Sequence, residues 1–145
     1  MAKVKGSVVV VTGASSGMGA AIAKAMAKAE GRVALLARSK EALDKLAAEI
    51  ASAGSEARAY PVNLADASAV AAVTKRITQE MGAPDIIINN AGGGRWLFVD
   101  ETTPEEAVQM MAVPYFAAFN VTHAFLPAML KRNSGHIVNV SSVGS

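Results

Sequence analysis

Ser7-Val8-Val9-Val10-Val11-Thr12-Gly13-Ala14-Ser15-Ser16-Gly17-Met18-Gly19 is the stretch whose reading decides the fold. Residues 7–12 are a continuous apolar run, the pattern of a strand buried on both faces. Residues 18–30 carry Ile22, Met26 and several alanines at helical spacing, and Gly31 offers a stop signal. Between the two lie glycines spaced G-x-x-x-G-x-G. Glycine reaches positive φ and lets an anion come close to the backbone. The helix start beyond it presents free N–H groups and a partial positive charge. The loop reads either as a tight strand-to-helix turn or as a pyrophosphate cradle. Its place directly after the first strand favours the cradle, and with it a bound dinucleotide.

Outward from this unit the alternation repeats. Residues 32–37 (RVALLA) predict a second strand. Ser39 is placed to cap a helix whose Ala42, Leu43, Leu46, Ala47 and Ile50 mark one face, with Gly54 after its end. Residues 56–62 predict a weaker third strand, in which Pro61 suits an edge or a terminus. Asp66 can cap a helix running to about Met81, ended by Gly82 and Pro84, and residues 85–88 (DIII) predict a fourth strand. Thr103-Pro104-Glu105-Glu106 combines a cap, a first-turn proline and acids near the positive dipole end. It opens a long helical stretch to about Lys131, and Ser134-Gly135 then turns the chain into a fifth strand, 136–141. Five strands joined by helical crossovers predict an α/β fold: one domain over residues 1–145, with a doubly wound parallel sheet and helices on both faces. Its ligand edge lies at the C-terminal ends of the strands.

Composition narrows the function. The chain has 145 residues, 52% hydrophobic and 18% charged, with a net charge of +2. That fits one domain and argues against disorder. With no cysteine there are no disulfides, thiolate metal sites or cysteine nucleophiles, and no metal site is expected. The isoelectric point near 9.0 rests on scattered charges, the densest groups being Lys3/Lys5, Lys75/Arg76 and Lys131/Arg132. Aromatics make up only 5%. A nucleic-acid partner is therefore not expected. Residues 1–6 are too polar for a signal peptide, and no apolar run reaches the roughly 20 residues of a membrane span. The expectation is a cytoplasmic protein with no membrane partner.

The end of the second strand selects between nicotinamide cofactors. An NAD site usually places an acid there to accept from the ribose 2′-hydroxyl. Here the strand ends Leu36-Ala37-Arg38, and a 2′-phosphate would meet a guanidinium. NADP(H) is favoured over NAD(H); the alternative is a solvated arginine at a helix entry. Ser15 and Ser16 supply no second cation.

Thr12-Gly13-x-x-x-Gly17-x-Gly19, Asn89-Asn90-Ala91-Gly92 and His136-Ile137-Val138-Asn139-Val140-Ser141-Ser142 together resemble the short-chain dehydrogenase/reductase family, in its N-terminal, Rossmann-like cofactor-binding portion. The resemblance runs from about Val4 to Ser145. It implies that Gly13, Ser15, Ser16, Gly17, Met18 and Gly19 form the pyrophosphate loop and that Arg38 meets the 2′-phosphate. Asn63 stands where the family usually has Asp, and its amide oxygen can accept from the adenine amino group. Leu64 would offer its N–H to the adenine ring. Asn90, Ala91 and Gly92 would flank the cofactor ribose and brace the sheet; the alternative for the asparagines is a turn closing the fourth strand. Ser142 matches the catalytic serine, which holds the substrate oxygen and stabilises charge developing there. Ser141 is its neighbour, and strand alternation lets one of the two face the site. The implied activity is hydride transfer between the cofactor and a small-molecule carbonyl or alcohol, by an enzyme that is a homo-oligomer across the long helix.

Two positions depart from the family pattern. Pro114 replaces an active-site asparagine and is expected to kink the long helix while keeping a carbonyl; the alternative is a new helix after a break. The family's Tyr-x-x-x-Lys pair, four residues apart on one helical face, has no counterpart. The tyrosines are Tyr60 and Tyr115, followed four residues on by Leu64 and Phe119. The chain stops three residues after Ser142, so it is expected to be the truncated, by itself inactive, cofactor-binding part of a longer enzyme. The competing readings are a non-catalytic dinucleotide-binding or protein-interaction module, and a fragment complemented by a second chain. His123 and His136 are expected to be structural. Trp96 is balanced between covering the nicotinamide and packing locally. Phe116, Phe119 and Phe125 are expected in the core or a subunit interface, and Met110, Met111 and Met129 in packing.

Overall fold

A computed structural model of the chain describes residues 3–94 and 97–141. Strands β1 (Val8–Thr12), β2 (Arg32–Ala37), β3 (Ala57–Pro61), β4 (Ile86–Asn89) and β5 (His136–Asn139) form one parallel sheet of order β3-β2-β1-β4-β5. The continuous apolar run of β1 resolves into two interleaved stripes, because strand side chains alternate between faces. Val9 and Val11 join Val33, Leu35 and Ile88 in a core closed by α1 (Gly17–Lys28) and α2 (Lys40–Ser52). Val8 and Val10 join Leu36 and Ile87 in a second core, closed by α3 (Ala67–Met81) and α5 (Ala117–Lys131). Burying each such valine contributes roughly 1.5–3 kcal/mol, which holds the register of the sheet. The chain winds outward from β1 to β3, then returns to place β4 on the other side of β1. That reversal leaves a crevice above the C-terminal ends of β1 and β4.

The expected caps form. Ser39 Oγ accepts from the Ala42 N–H, and Asp66 accepts from the Ser68 and Ala69 N–H groups. The Ala69 N–H foremost, then the Ser68 hydroxyl at 2.7 Å and the Ser68 N–H, hold the Asp66 carboxyl below the usual carboxylate range. One stop signal differs from its reading. The left-handed residue after α1 is Glu30 (φ +63), not Gly31. Gly31 is needed for space: a Cβ there would lie 3.0 Å from the Met26 carbonyl oxygen and 3.2 Å from Val9 Cγ2.

β3 is an edge strand and Pro61 ends it, as expected. Charge guards this edge against further pairing. Arg32 binds Glu56 through two bonds of 2.6 and 3.2 Å. Arg58 reaches Glu56 at 3.3 Å, and Arg76 reaches Glu80 at 3.5 Å. The Tyr60 hydroxyl donates to Glu80 at 2.8 Å while the Arg76 guanidinium lies 4.7 Å over its ring.

The long helical stretch has three parts. α4 (Pro104–Met111) begins with the expected box, Thr103 Oγ1 accepting from the Glu106 N–H and Glu106 accepting from the Thr103 N–H. A π-helical turn, Ala112–Phe116, follows, and α5 continues from it. Pro114 sits inside that turn, where the Ala117 N–H donates five residues back to Ala112. A proline ring collides with the carbonyl four residues earlier and offers no N–H, and a widened turn accommodates both faults. The α-helical ladder is thus interrupted at Pro114 without a break in the helical path. Contrary to expectation, the 28 residues Pro104–Lys131 form a helical stretch long and apolar enough, by length and composition, to cross a membrane; its most apolar 18-residue window has mean hydropathy 1.2. Core helices share that property. Here Ala117, Val121, Phe125 and Met129, each four residues from the last, lie buried in the α/β core. The expected packing of the Phe and Met groups divides accordingly: Phe125 and Met129 are core, whereas Met111, Phe116 and Phe119 are exposed.

Candidate functional site

The site is built around Thr12, the last residue of β1. Its Oγ1 accepts from the N–H groups of Asn90 and Ala91, both at 2.9 Å, and Asn90 Nδ2 donates to the Thr12 carbonyl at 3.2 Å. Thr12 thereby ties the loop after β4 to the glycine loop after β1. The glycines answer to this join. A Cβ on Gly13 would lie 2.8 Å from Ala91 Cα, and one on Gly19 only 2.1 Å from the Gly13 carbonyl oxygen and 2.6 Å from Asn90 Nδ2. Gly17 differs: its φ is +53, and nothing lies within 4 Å of a Cβ there.

Open space at Gly17 adjoins the start of α1. Ser16 is the exposed N-cap, its hydroxyl makes no capping bond, and the first turn of α1 holds no acid. Free N–H groups and an uncompensated positive dipole end therefore face the crevice, which suits a pyrophosphate.

The crevice has two lobes. The first, about 500 Å³, is lined by Ser15, Arg38, Asn63, Leu64, Ala91 and Val113 among others. Arg38 pairs with no acid among the described residues and is exposed at the rim. Asn63 is also at hand, but its Oδ1 already accepts from the Ala65 N–H at 3.2 Å, so one lone pair remains for a ligand. The second lobe, about 740 Å³, is lined by Met18, Asn90, Pro114, Tyr115, Asn139 and Ser141 among others. Ala91 and Gly92 line both lobes. The structure thus gathers Gly13, Ser15, Met18, Arg38, Asn63, Leu64, Asn90, Ala91 and Gly92 on one crevice. Gly17, Ser16 and Gly19 supply the turn and helix start beneath it. Ser142 and Trp96 lie outside the described residues; Ser141 faces the second lobe.

Several contributors escape sequence reading. Asn89 ends β4 and is buried; its Nδ2 donates to Thr122 Oγ1 of α5 at 3.0 Å and to Asn139 Oδ1 of β5 at 2.9 Å. The asparagines sit opposite each other in register, and an asparagine ending both β4 and β5 is the signal that could have found them. Val113 and Tyr115 come from the π-turn, one to each lobe. The two tyrosines lie apart: Tyr115 lines the second lobe, and Tyr60 belongs to the core beneath β3. Tyr60 is buried, and burial together with its bond to Glu80 pushes its hydroxyl well above the ordinary range. His123 stacks on Phe119 at the second lobe, and His136 begins β5.

Comparison with known proteins agrees with this geometry. The family model described as short chain dehydrogenase matches residues 7–145. The chain is 42% identical to an uncharacterized oxidoreductase of Mycobacterium tuberculosis, over 97% of this chain and 43% of that protein. It is 38% identical to a fatty acyl-CoA reductase of Acinetobacter baylyi, over 97% and 48%. Among solved structures, a metagenomic short-chain oxidoreductase in complex with NADP superposes with a TM-score of 0.92 at 38% identity, over 99% of this chain and 65% of that one. The chain spans a little under half the length of these curated relatives. Glycine loop, crossed sheet and family match converge: the chain belongs to the short-chain dehydrogenase family of oxidoreductases.

Proposed function

We propose that this chain is the cofactor-binding part of an NADP(H)-dependent oxidoreductase that transfers hydride between the nicotinamide ring and the carbon of a carbonyl or alcohol substrate. The observation that carries the reading is Arg38, unpaired among the described residues at the rim of the first lobe, where β2 ends without an acid. A similar short-chain oxidoreductase holds NADP, which supports it. When bound, the cofactor supplies or accepts the hydride.

The chain's own residues bind and orient. The uncapped start of α1 and the space at Gly17 receive the pyrophosphate. Arg38 balances the 2′-phosphate by a charge-assisted bond, and the first lobe takes the adenosine. Met18, Pro114 and Tyr115 wall the second lobe and keep water from the nicotinamide end. Ser142, next in sequence to the Ser141 that lines the second lobe, holds the substrate oxygen in this reading. The second lobe is walled mainly by apolar side chains, and a relative bears the name fatty acyl-CoA reductase; both support an apolar substrate. The exposed apolar side chains of Val108, Phe116 and Leu130 support a homo-oligomer.

Titrating NADPH and NADH into the intact gene product tests the reading. NADPH should bind more tightly. Arg38→Ala should weaken NADPH about 10- to 100-fold and leave NADH unchanged, as expected for loss of one charge-assisted bond. Equal or tighter binding of NADH by the unaltered protein would overturn it.

A further inference from the structure

Leu64 is buried in the wall of the first lobe, and its N–H donates to no group among the described residues. Both peptide planes beside it are fixed. The plane before it is held by the Asp66 N–H, which donates to the Asn63 carbonyl at 3.1 Å. The plane after it is held from two sides: the Ala65 N–H donates to Asn63 Oδ1 at 3.2 Å, and Asn120 Nδ2 donates to the Leu64 carbonyl at 3.1 Å. The first two bonds lie within the loop itself. Asn120 belongs to α5, 56 residues away, and it ties the loop to the helical layer.

From this we infer that Asn120 is a positioning residue for adenine recognition, acting through the Leu64 carbonyl to aim the free Leu64 N–H at the N1 edge of the ring. Asn120 itself touches no ligand: it is absent from the lining of both lobes. A free loop would order its peptide only on binding, at an entropic cost that lowers affinity. The bond from α5 anchors the peptide after Leu64 to the helical layer, and with the Asp66 bond on the peptide before it fixes the N–H beforehand. A donor at this position is required, since its partner is a carbonyl; an acid would face that carbonyl with a second acceptor. The same helix bonds Asn89 through Thr122, so α5 holds the loop of the first lobe and the strand end of the second.

The inference rests on the cofactor reading above, and the test separates the two. NADPH and its hypoxanthine analogue are titrated into the intact gene product and into Asn120→Asp, Asn120→Leu and Asn120→Gln. The analogue carries a hydrogen on N1 and cannot accept from Leu64. The unaltered protein should prefer NADPH over the analogue. In Asn120→Asp and Asn120→Leu that preference should shrink about three- to tenfold, the worth of one neutral hydrogen bond. Asn120→Gln, which keeps a donor, should recover part of it. Loss of packing alone would weaken both ligands by one common factor and leave the preference intact, and that result overturns the inference. Asn120→Asp is nearly isosteric, so it serves where Asn120→Leu fails to fold. If the unaltered protein binds neither ligand, the cofactor reading falls and takes this inference with it.

Discussion

Gly19→Ala and Gly17→Ala should separate two reasons for glycine in one loop. Gly19 lies in the first turn of α1, where the exchange would ordinarily stabilise by about 1 kcal/mol through helix propensity. Here the new Cβ would stand 2.1 Å from the Gly13 carbonyl oxygen and 2.6 Å from Asn90 Nδ2. A comfortable carbon–oxygen contact needs roughly 3.3 Å, so the backbone must yield by more than an ångström. That backbone is the segment bonded through Thr12 to Asn90 and Ala91. The cost should exceed about 4 kcal/mol, the mark of a broken core feature, against a total stability of roughly 5–15 kcal/mol. Gly17→Ala meets nothing within 4 Å and carries only the left-handed φ of +53, worth about 1–2 kcal/mol and a fall in Tm of roughly 3–8 °C. Its methyl group, however, occupies the open space at the helix start, where the pyrophosphate is proposed to sit. Thermal melts by circular dichroism, followed by NADPH titration, read both effects. Gly19→Ala should fail to give a cooperative melt. Gly17→Ala should fold and bind NADPH at least about tenfold more weakly. A Gly19→Ala protein that melts at or above the unaltered temperature, or a Gly17→Ala protein with full NADPH affinity, would refute the reasoning.

Other consequences are open to measurement. Thr12→Val should leave the Asn90 and Ala91 N–H groups without their acceptor and lower stability by about 2–4 kcal/mol, while Thr12→Ser should retain most of it, as read by denaturant melts. Glu56 is held below the usual carboxylate range by its bonds to Arg32. Its contribution is therefore present above the unfolded carboxylate range and lost as pH falls through the lowered value; Glu56→Gln should flatten that acid limb in melts across pH, by less than about 1 kcal/mol because the pair is solvent-screened.

Strands and helices were legible to within a residue or two because each announces itself locally. β2 was read at its observed bounds, and Ser39, Asp66 and Thr103 cap the helices their side chains suit. The stop after α1 was misplaced because Gly31 is glycine for a contact with Met26 and Val9, not for its own dihedral. Of the site, the glycine loop, Arg38 and the Asn90-Ala91-Gly92 turn were legible as a motif. Asn120 was not, since its partner lies 56 residues earlier, and neither was the Asn89, Thr122 and Asn139 cluster. The widened turn at Pro114 was foreseen as a disturbance; that it delivers Val113 to one lobe and Tyr115 to the other was not.

By itself the sequence determined the alternation of strand and helix, the two-faced burial of β1 and the glycine turn between β1 and α1, since these follow from side-chain period and backbone freedom over a few residues. Tertiary structure decided which loop met which. The order β3-β2-β1-β4-β5 sets β4 beside β1 although Thr12 and Asn90 are 78 residues apart. Winding the sheet both ways from β1 makes that join, and with it the need for glycine at positions 13 and 19. Local propensity encodes no information about which distant segment will cover a given turn.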